Sequence, residues 1–186
     1  PHLNVKIVGS HEVTIQANSV ESVKYDYVEN ELLRGSVQIT KVDAEYPENK
    51  LTGATFTVYS EDGKVSMDMT EVETGVYRLD DLPFGDYYVQ ETKAPEGYVI
   101  DPTEYHVELF PGQVSELVVS NDRKPNLEIV KTDAVTGSPV ADVTFTVKKV
   151  DSSTLTTVKT DAEGKALIEN LDPGVYEVWE QSVPDN

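Results

Sequence analysis

The chain has no cysteine in 186 residues. Disulfide staples, thiolate metal sites and a cysteine nucleophile are therefore excluded. That absence fits a cytosolic protein, and equally an extracellular one that stabilises its domains by other means. Basic residues are scarce, with 15 Lys and Arg against 34 Asp and Glu and a formal net charge of −19. A phosphate backbone needs a basic face, so the charge argues against nucleic acid as a partner. An acidic surface also discourages docking on anionic lipid. No long apolar run occurs, so no membrane-inserted helix is expected. Neither a secretory leader nor an anchor signal is recognisable, and the pattern is interrupted at both ends, so a fragment of a longer array is expected. The three histidines, His2, His11 and His106, lack metal-ligand spacing. No Ser/His/Asp grouping suggests a hydrolase. Neither a metal nor a cofactor is expected.

Helical periodicity is also missing. Short runs rich in Val, Ile, Thr, Tyr and Phe alternate with Gly, Pro, Asp and Asn turns, which predicts strands. Val37 to Val42, Ala54 to Tyr59, Gly75 to Leu79, Asp86 to Gln90 and Gln113 to Ser120 are such runs. Asp62-Gly63 and Glu163-Gly164 read as hairpin turns. Regularly spaced short strands of this kind predict an all-β sandwich.

An internal repeat organises the chain. Ile39-Thr40-Lys41-Val42-Asp43 returns as Ile129-Val130-Lys131-Thr132-Asp133, 90 positions on. Thr55-Phe56-Thr57-Val58 returns as Thr144-Phe145-Thr146-Val147, 89 positions on. The run from Leu82 to Glu91 returns from Leu171 to Glu180, again 89 positions on. Val28-Glu29-Asn30 precedes Lys41 much as Val119-Ser120-Asn121 precedes Lys131, with Asn-to-Lys separations of 11 and 10. The expected organisation is a tail over 1–34 holding the last strands of a preceding or complementing sandwich. A complete domain follows over 35–124, and then a domain over 125–186 without its last strands. The joints, Glu31 to Gly35 and Asp122 to Pro125, read as short linkers, the second stiffened by proline.

Strand parity isolates a group of polar residues. Residues two apart on a strand share a face. Val37 and Ile39 are followed on their face by Lys41, Leu117 and Val119 by Asn121, and Tyr87 and Val89 by Glu91. The second repeat matches, with Leu127 and Ile129 before Lys131, and Tyr176 and Val178 before Glu180. A single lysine in such a place could snorkel from a strand end, and a single acid could sit on a rim. Lys and Glu at matched places in two repeats point instead to buried, paired groups. The row before Asn30 is poorer, because Asp26 and Lys24 precede Val28.

These residues, together with Leu82-Pro83-Phe84-Gly85-Asp86-Tyr87 and Glu91-Thr92-Lys93-Ala94-Pro95-Glu96-Gly97-Tyr98, resemble the collagen-adhesin B-type (Cna B-type) domain of Gram-positive adhesins and pilins. The resemblance covers 35–124 end to end and 125–186 to its last residue. It implies tandem reversed immunoglobulin-like β-sandwiches. It also implies a Lys–Asn isopeptide bond between first and last strands, promoted by the motif glutamate. Carried over, Lys41 is the nucleophile, Asn121 the electrophile and Glu91 the proton relay. Lys131 and Glu180 fill two of the roles in the next repeat, and Asn30 is the candidate closing residue of the preceding one. The C-terminal motif departs from the family, reading Glu180-Gln181-Ser182-Val183-Pro184 without Gly-Tyr. Neither Asn170 nor Asn186 is placed to pair with Lys131.

The physical chemistry agrees with that implication. Desolvation favours the neutral forms of an amine and an acid, a neutral amine attacks where an ammonium does not, and a neighbouring acid can shuttle protons. The reaction would be a single-turnover self-reaction rather than enzyme catalysis. The resemblance implies a structural stalk or pilus shaft segment, outside the cell and anchored to the wall. Its partners would be neighbouring domains or subunits of the same surface protein. Two other functions are compatible with the sequence: a module gripping a host matrix protein or glycan, and a spacer array in an extracellular enzyme.

Overall fold

The computed structural model describes residues 5–7, 30–32 and 34–182. The described residues contain fifteen strands and no helix, so none of them forms a helix able to cross a membrane. The strands are β1 (Val5–Ile7), β2 (Asn30–Leu32), β3 (Arg34–Asp43), β4 (Thr55–Ser60), β5 (Ser66–Asp68), β6 (Thr70–Glu73), β7 (Val76–Pro83) and β8 (Gly85–Lys93). They continue with β9 (Glu104–Leu109), β10 (Val114–Asn121), β11 (Leu127–Val130), β12 (Thr144–Lys149), β13 (Leu155–Lys159), β14 (Lys165–Ile168) and β15 (Tyr176–Ser182). By packing they divide into two compact units. One takes the described residues up to 42 with 48–93 and 102–119. The other takes 43–47, 94–101 and the described residues from 120 on.

The first unit is built on two four-stranded sheets, ordered β10-β3-β7-β6 and β5-β4-β8-β9. The alternation read from sequence is what packs them. On β3, Val37, Ile39 and Lys41 are buried, while Ser36, Gln38 and Thr40 between them are not. Tyr87, Val89 and Glu91 repeat the pattern on β8. Phe56 and Val58 from β4, Tyr77 and Leu82 from β7, and Val119 from β10 join Val37, Ile39 and Val89 in one core. Each fully buried aliphatic or aromatic side chain of this kind contributes roughly 1.5–3 kcal/mol. The edge of the Phe56 ring meets Tyr77, with centroids 5.1 Å apart. The described residues are all-β, as the strand pattern predicts, and consistent with the immunoglobulin-like sandwich that the resemblance implies.

In the second unit β12 is central to the sheet β13-β12-β15, and β11 pairs with β14 in a separate sheet. Val143, Val147, Ala166 and Ile168 are buried there. The apolar rows are less covered than their counterparts: Leu127 and Ile129 are half-buried, and Val178 is exposed. The reason lies in the pairing. β3 has a neighbour on each side, β10 and β7, whereas among the described residues β11 has only β14.

Two local expectations differ from the structure. Asp62-Gly63 lies between β4 and β5, which do pair as a hairpin. Glu163-Gly164 makes a tight turn, with Gly164 N–H donating to Asp161 O at 3.0 Å. The strands on either side of it, β13 and β14, belong to different sheets. The turn residues resemble a hairpin's, but the strands pair elsewhere, β14 with β11 and β13 with β12. The joint Glu31 to Gly35 is also strand rather than linker on both sides of residue 33, being divided between β2 and β3. β1 and β2 form their own antiparallel pair, Ile7 opposite Asn30. Among the described residues neither pairs with β11.

Candidate functional site

Lys41 and Glu91 meet between the two sheets of the first unit. Lys41 Nζ lies 3.3 Å from Glu91 Oε1, and both side chains are 0% exposed. Lys41 does not snorkel to solvent; its Nζ sits 5.8 Å from the centre of the Phe56 ring. Burying two ionisable groups is costly unless each satisfies the other, so the alternation that sends Lys41 inward after Val37 and Ile39 commits the fold to this pair. Asn121 ends β10, the strand beside β3, and is only 2% exposed. Its Nδ2 donates to Val99 O at 2.6 Å, and its backbone carbonyl accepts from Ala44 N–H at 3.0 Å. All three polar residues that parity singled out in 35–124 are thus buried at strand positions.

The second repeat places Lys131 and Glu180 in the same way. Lys131 Nζ donates to Glu180 Oε2 at 3.0 Å, with the side chains 33% and 26% exposed. This pair is wetter than Lys41–Glu91, which follows from the thinner cover over β11. Asn30 heads β2, but its side chain lies outside the described residues, as do His2 and His11. His106 pairs with Asp86 at 3.0 Å on the exposed face of the β8–β9 ladder. No cluster of metal-ligating side chains occurs among the described residues.

Three features of the site were not read from sequence. The first is a β-bulge. β4 shifts register between Thr55 and Phe56 against β8, so that Phe56 faces Glu91. β12 shifts between Thr144 and Phe145 against β15, so that Phe145 faces Glu180. A bulge re-aims nearby side chains, and both glutamates sit beside one. The second is a glycine. Lys41 N–H donates to Gly75 O and Lys131 N–H to Gly164 O, each at 2.8 Å. Both glycines have positive φ, 65° and 72°. A Cβ on Gly75 would come within 2.8 Å of Lys50 Cβ, and one on Gly164 within 2.5 Å of Lys131 O. Their common offset of 89 was the available signal. Gly75→Ala is expected to destabilise the domain by about 1–2 kcal/mol from the left-handed backbone alone, and by more with the clash. Urea denaturation checks this, and an unchanged midpoint would refute it.

The third feature is a clamp on Asp43. This side chain is buried at the end of β3. Its Oδ1 accepts from the N–H groups of Glu45 and Tyr46 at 2.9 and 3.1 Å. Its Oδ2 accepts from Tyr98 Oη at 2.8 Å and Arg123 Nε at 2.7 Å. Burial alone would raise the carboxyl pKa, but the bonds from Arg123, Tyr98 and the two amides outweigh it and bring the value down to about 2. The Arg123 guanidinium also lies over the Tyr46 ring, 5.2 Å from its centre.

The sequence model of the SpaA prealbumin-like fold domain matches residues 35–123 and again 125–186. The chain belongs to this family. Membership agrees with the Cna B-type resemblance of its motifs. Serine-aspartate repeat-containing protein D of Staphylococcus aureus strain Newman is 30% identical over 158 residues, covering 72% of this chain and 12% of that protein. The chain thus spans about an eighth of the length of the curated relatives it matches. The Bacillus anthracis TIE protein superposes with a TM-score of 0.52 at 30% identity, over 87% of this chain and 30% of that one. A streptococcal ancillary pilin superposes with a TM-score of 0.50 at 21% identity, over 91% of this chain and 60% of that one; the likeness is one of fold.

Proposed function

We propose that this SpaA-family chain is a stalk or shaft segment of a Gram-positive surface adhesin or pilin, stabilised by a self-formed isopeptide bond between Lys41 and Asn121. The observation that carries the reading is the fully buried Lys41–Glu91 pair at 3.3 Å, with buried Asn121 on the strand next to Lys41's own. A structural ion pair needs no buried carboxamide on the neighbouring strand. Acyl transfer needs all three groups.

In the proposed reaction the neutral Lys41 amine attacks the Asn121 side-chain carbonyl carbon. Glu91 hydrogen-bonds the carboxamide, takes a proton from the attacking nitrogen and delivers it to the departing one. The C–Nδ2 bond breaks, a C–Nζ bond forms and one ammonia leaves. No cofactor enters, because the fold supplies effective concentration. The groups are consumed in one turnover, so the chain is not an enzyme. The same reading gives Lys131 and Glu180 the amine and relay roles in the second repeat.

The likeness to serine-aspartate repeat-containing protein D and to an ancillary pilin supports a structural role at the cell surface, among neighbouring domains or subunits of the same assembly. A covalent tie between β3 and β10 would carry tension through the bond rather than through the hydrogen-bond ladder. It would also resist reduction, in a chain that has no cysteine. Intact mass tests the reading. The full chain is expected to be lighter than its sequence by one ammonia, with a branched proteolytic peptide holding Lys41 and Asn121. An unmodified mass with both residues recovered free would overturn it.

A further inference from the structure

We propose that Asp43, acting through Tyr98 and Arg123, is a positioning residue that holds the Asn121 carboxamide in its reactive orientation. The inference rests on the isopeptide reading above and adds a part to it. Asp43 lies two residues beyond Lys41. What it gathers is the surroundings of Asn121. Tyr98 immediately precedes Val99, whose carbonyl accepts the Asn121 Nδ2 hydrogen bond at 2.6 Å. Arg123 lies two residues past Asn121 and bridges Tyr98 in a β-ladder contact. That contact is flanked by Val99 N–H donating to Asp122 O at 2.9 Å and Lys124 N–H to Gly97 O at 2.8 Å. Ala44, next to Asp43, donates to the Asn121 carbonyl. One carboxylate therefore ties together the segment after Lys41, the segment carrying the Val99 acceptor and the segment following Asn121.

The chemistry gives this a purpose. A carboxamide presents its carbon to a nucleophile along one direction only, so its rotation about the side-chain bonds has to be fixed. A hydrogen bond from Nδ2 to Val99 O fixes it and leaves an acceptor beside the nitrogen that must depart. Val99 O holds that place only if the 97–99 segment is pinned, and Asp43 pins it by charge-assisted bonds to Tyr98 and Arg123. The second repeat offers an internal comparison. Asp133 caps its turn in the same way, accepting from Val135 and Thr136 N–H groups at 2.9 and 2.7 Å. The turn-capping function of this aspartate is therefore common to both repeats.

Cell-free synthesis of the full chain, sampled over time for intact mass, tests the clamp in Asp43→Asn and Tyr98→Phe. Both are expected to slow ammonia loss by on the order of 10- to 100-fold, the effect of a misplaced reacting group. The double variant should be no slower than the slower single one, because both act through the same contact. A second arm uses Lys41→Ala, in which Asn121 stays unreacted. Adding Tyr98→Phe there should move the Asn121 side-chain amide NMR signals toward free-amide positions while the sandwich stays folded. Wild-type rates in both clamp variants would overturn the inference. So would a slowing that merely tracks a lower folded fraction, or amide signals that do not move. If the unaltered chain never loses ammonia, the isopeptide reading fails, and the NMR arm still decides whether the clamp orients Asn121.

Discussion

Asn121→Ala is expected to lower the stability of the domain by roughly 4–5 kcal/mol. The bond would close a loop from residue 41 to residue 121, nearly the whole domain, and cross-linking so long a loop removes entropy from the unfolded chain on this scale. For a domain of this size the loss corresponds to a fall in melting temperature of roughly 15–30 °C. Asn121 is the best place to remove the bond, because Lys41 and Glu91 remain to satisfy each other at 3.3 Å. Lys41→Ala also removes the bond but leaves Glu91 buried without that amine, and breaking a buried pair adds its own penalty of roughly 3–5 kcal/mol. The expected order of melting temperatures is therefore wild type, then Asn121→Ala, then Lys41→Ala. Calorimetry of the three chains checks it. If Asn121→Ala melts within a few degrees of the wild type, no covalent loop contributes to stability.

Much of this site was legible because it is written in period two. Val37, Ile39 and Lys41 share a face by arithmetic, and a lysine extending an apolar row is either buried or snorkels from the strand end. The structure buries it. Glu91 was legible for the same reason, and its duplication at Glu180 made chance a poor account. What sequence did not reveal depends on contacts between distant segments. Asp43 reads as an ordinary turn residue, and its first two bonds, to Glu45 and Tyr46, are ordinary. Its other two come from residues 55 and 80 positions away, which no local pattern encodes. The bulges beside Glu91 and Glu180 were equally hidden, since Thr-Phe is common strand sequence and the shift appears only in the pairing. The half-buried rows of the second repeat escaped for another reason: parity says which way a side chain points, not whether anything covers it.

The largest kinetic effect is expected at Glu91. Glu91→Gln keeps the volume and hydrogen-bonding reach of the side chain but removes its ability to carry a proton. Without a relay, the attacking nitrogen has no buried acceptor for its proton, and the departing nitrogen would leave as an amide anion rather than as ammonia. General acid–base assistance is worth about 10²–10⁴ in rate, so ammonia loss should slow by that factor. The fold should survive, because the substituted carboxamide can still meet Lys41 from the bulged ladder where β8 pairs with β4 at Phe56. The variant separates two readings of the same geometry. If Glu91 is only the partner that makes a buried lysine tolerable, the substitution will lower the melting temperature of an unreacted chain but leave the rate of bond formation per folded molecule unchanged. If Glu91 is the relay, the rate falls while circular dichroism still reports a sandwich, and the melting temperature approaches that of Asn121→Ala. Time-resolved intact mass, normalised to folded protein, distinguishes them, and a normal rate of ammonia loss in Glu91→Gln would remove Glu91 from the mechanism.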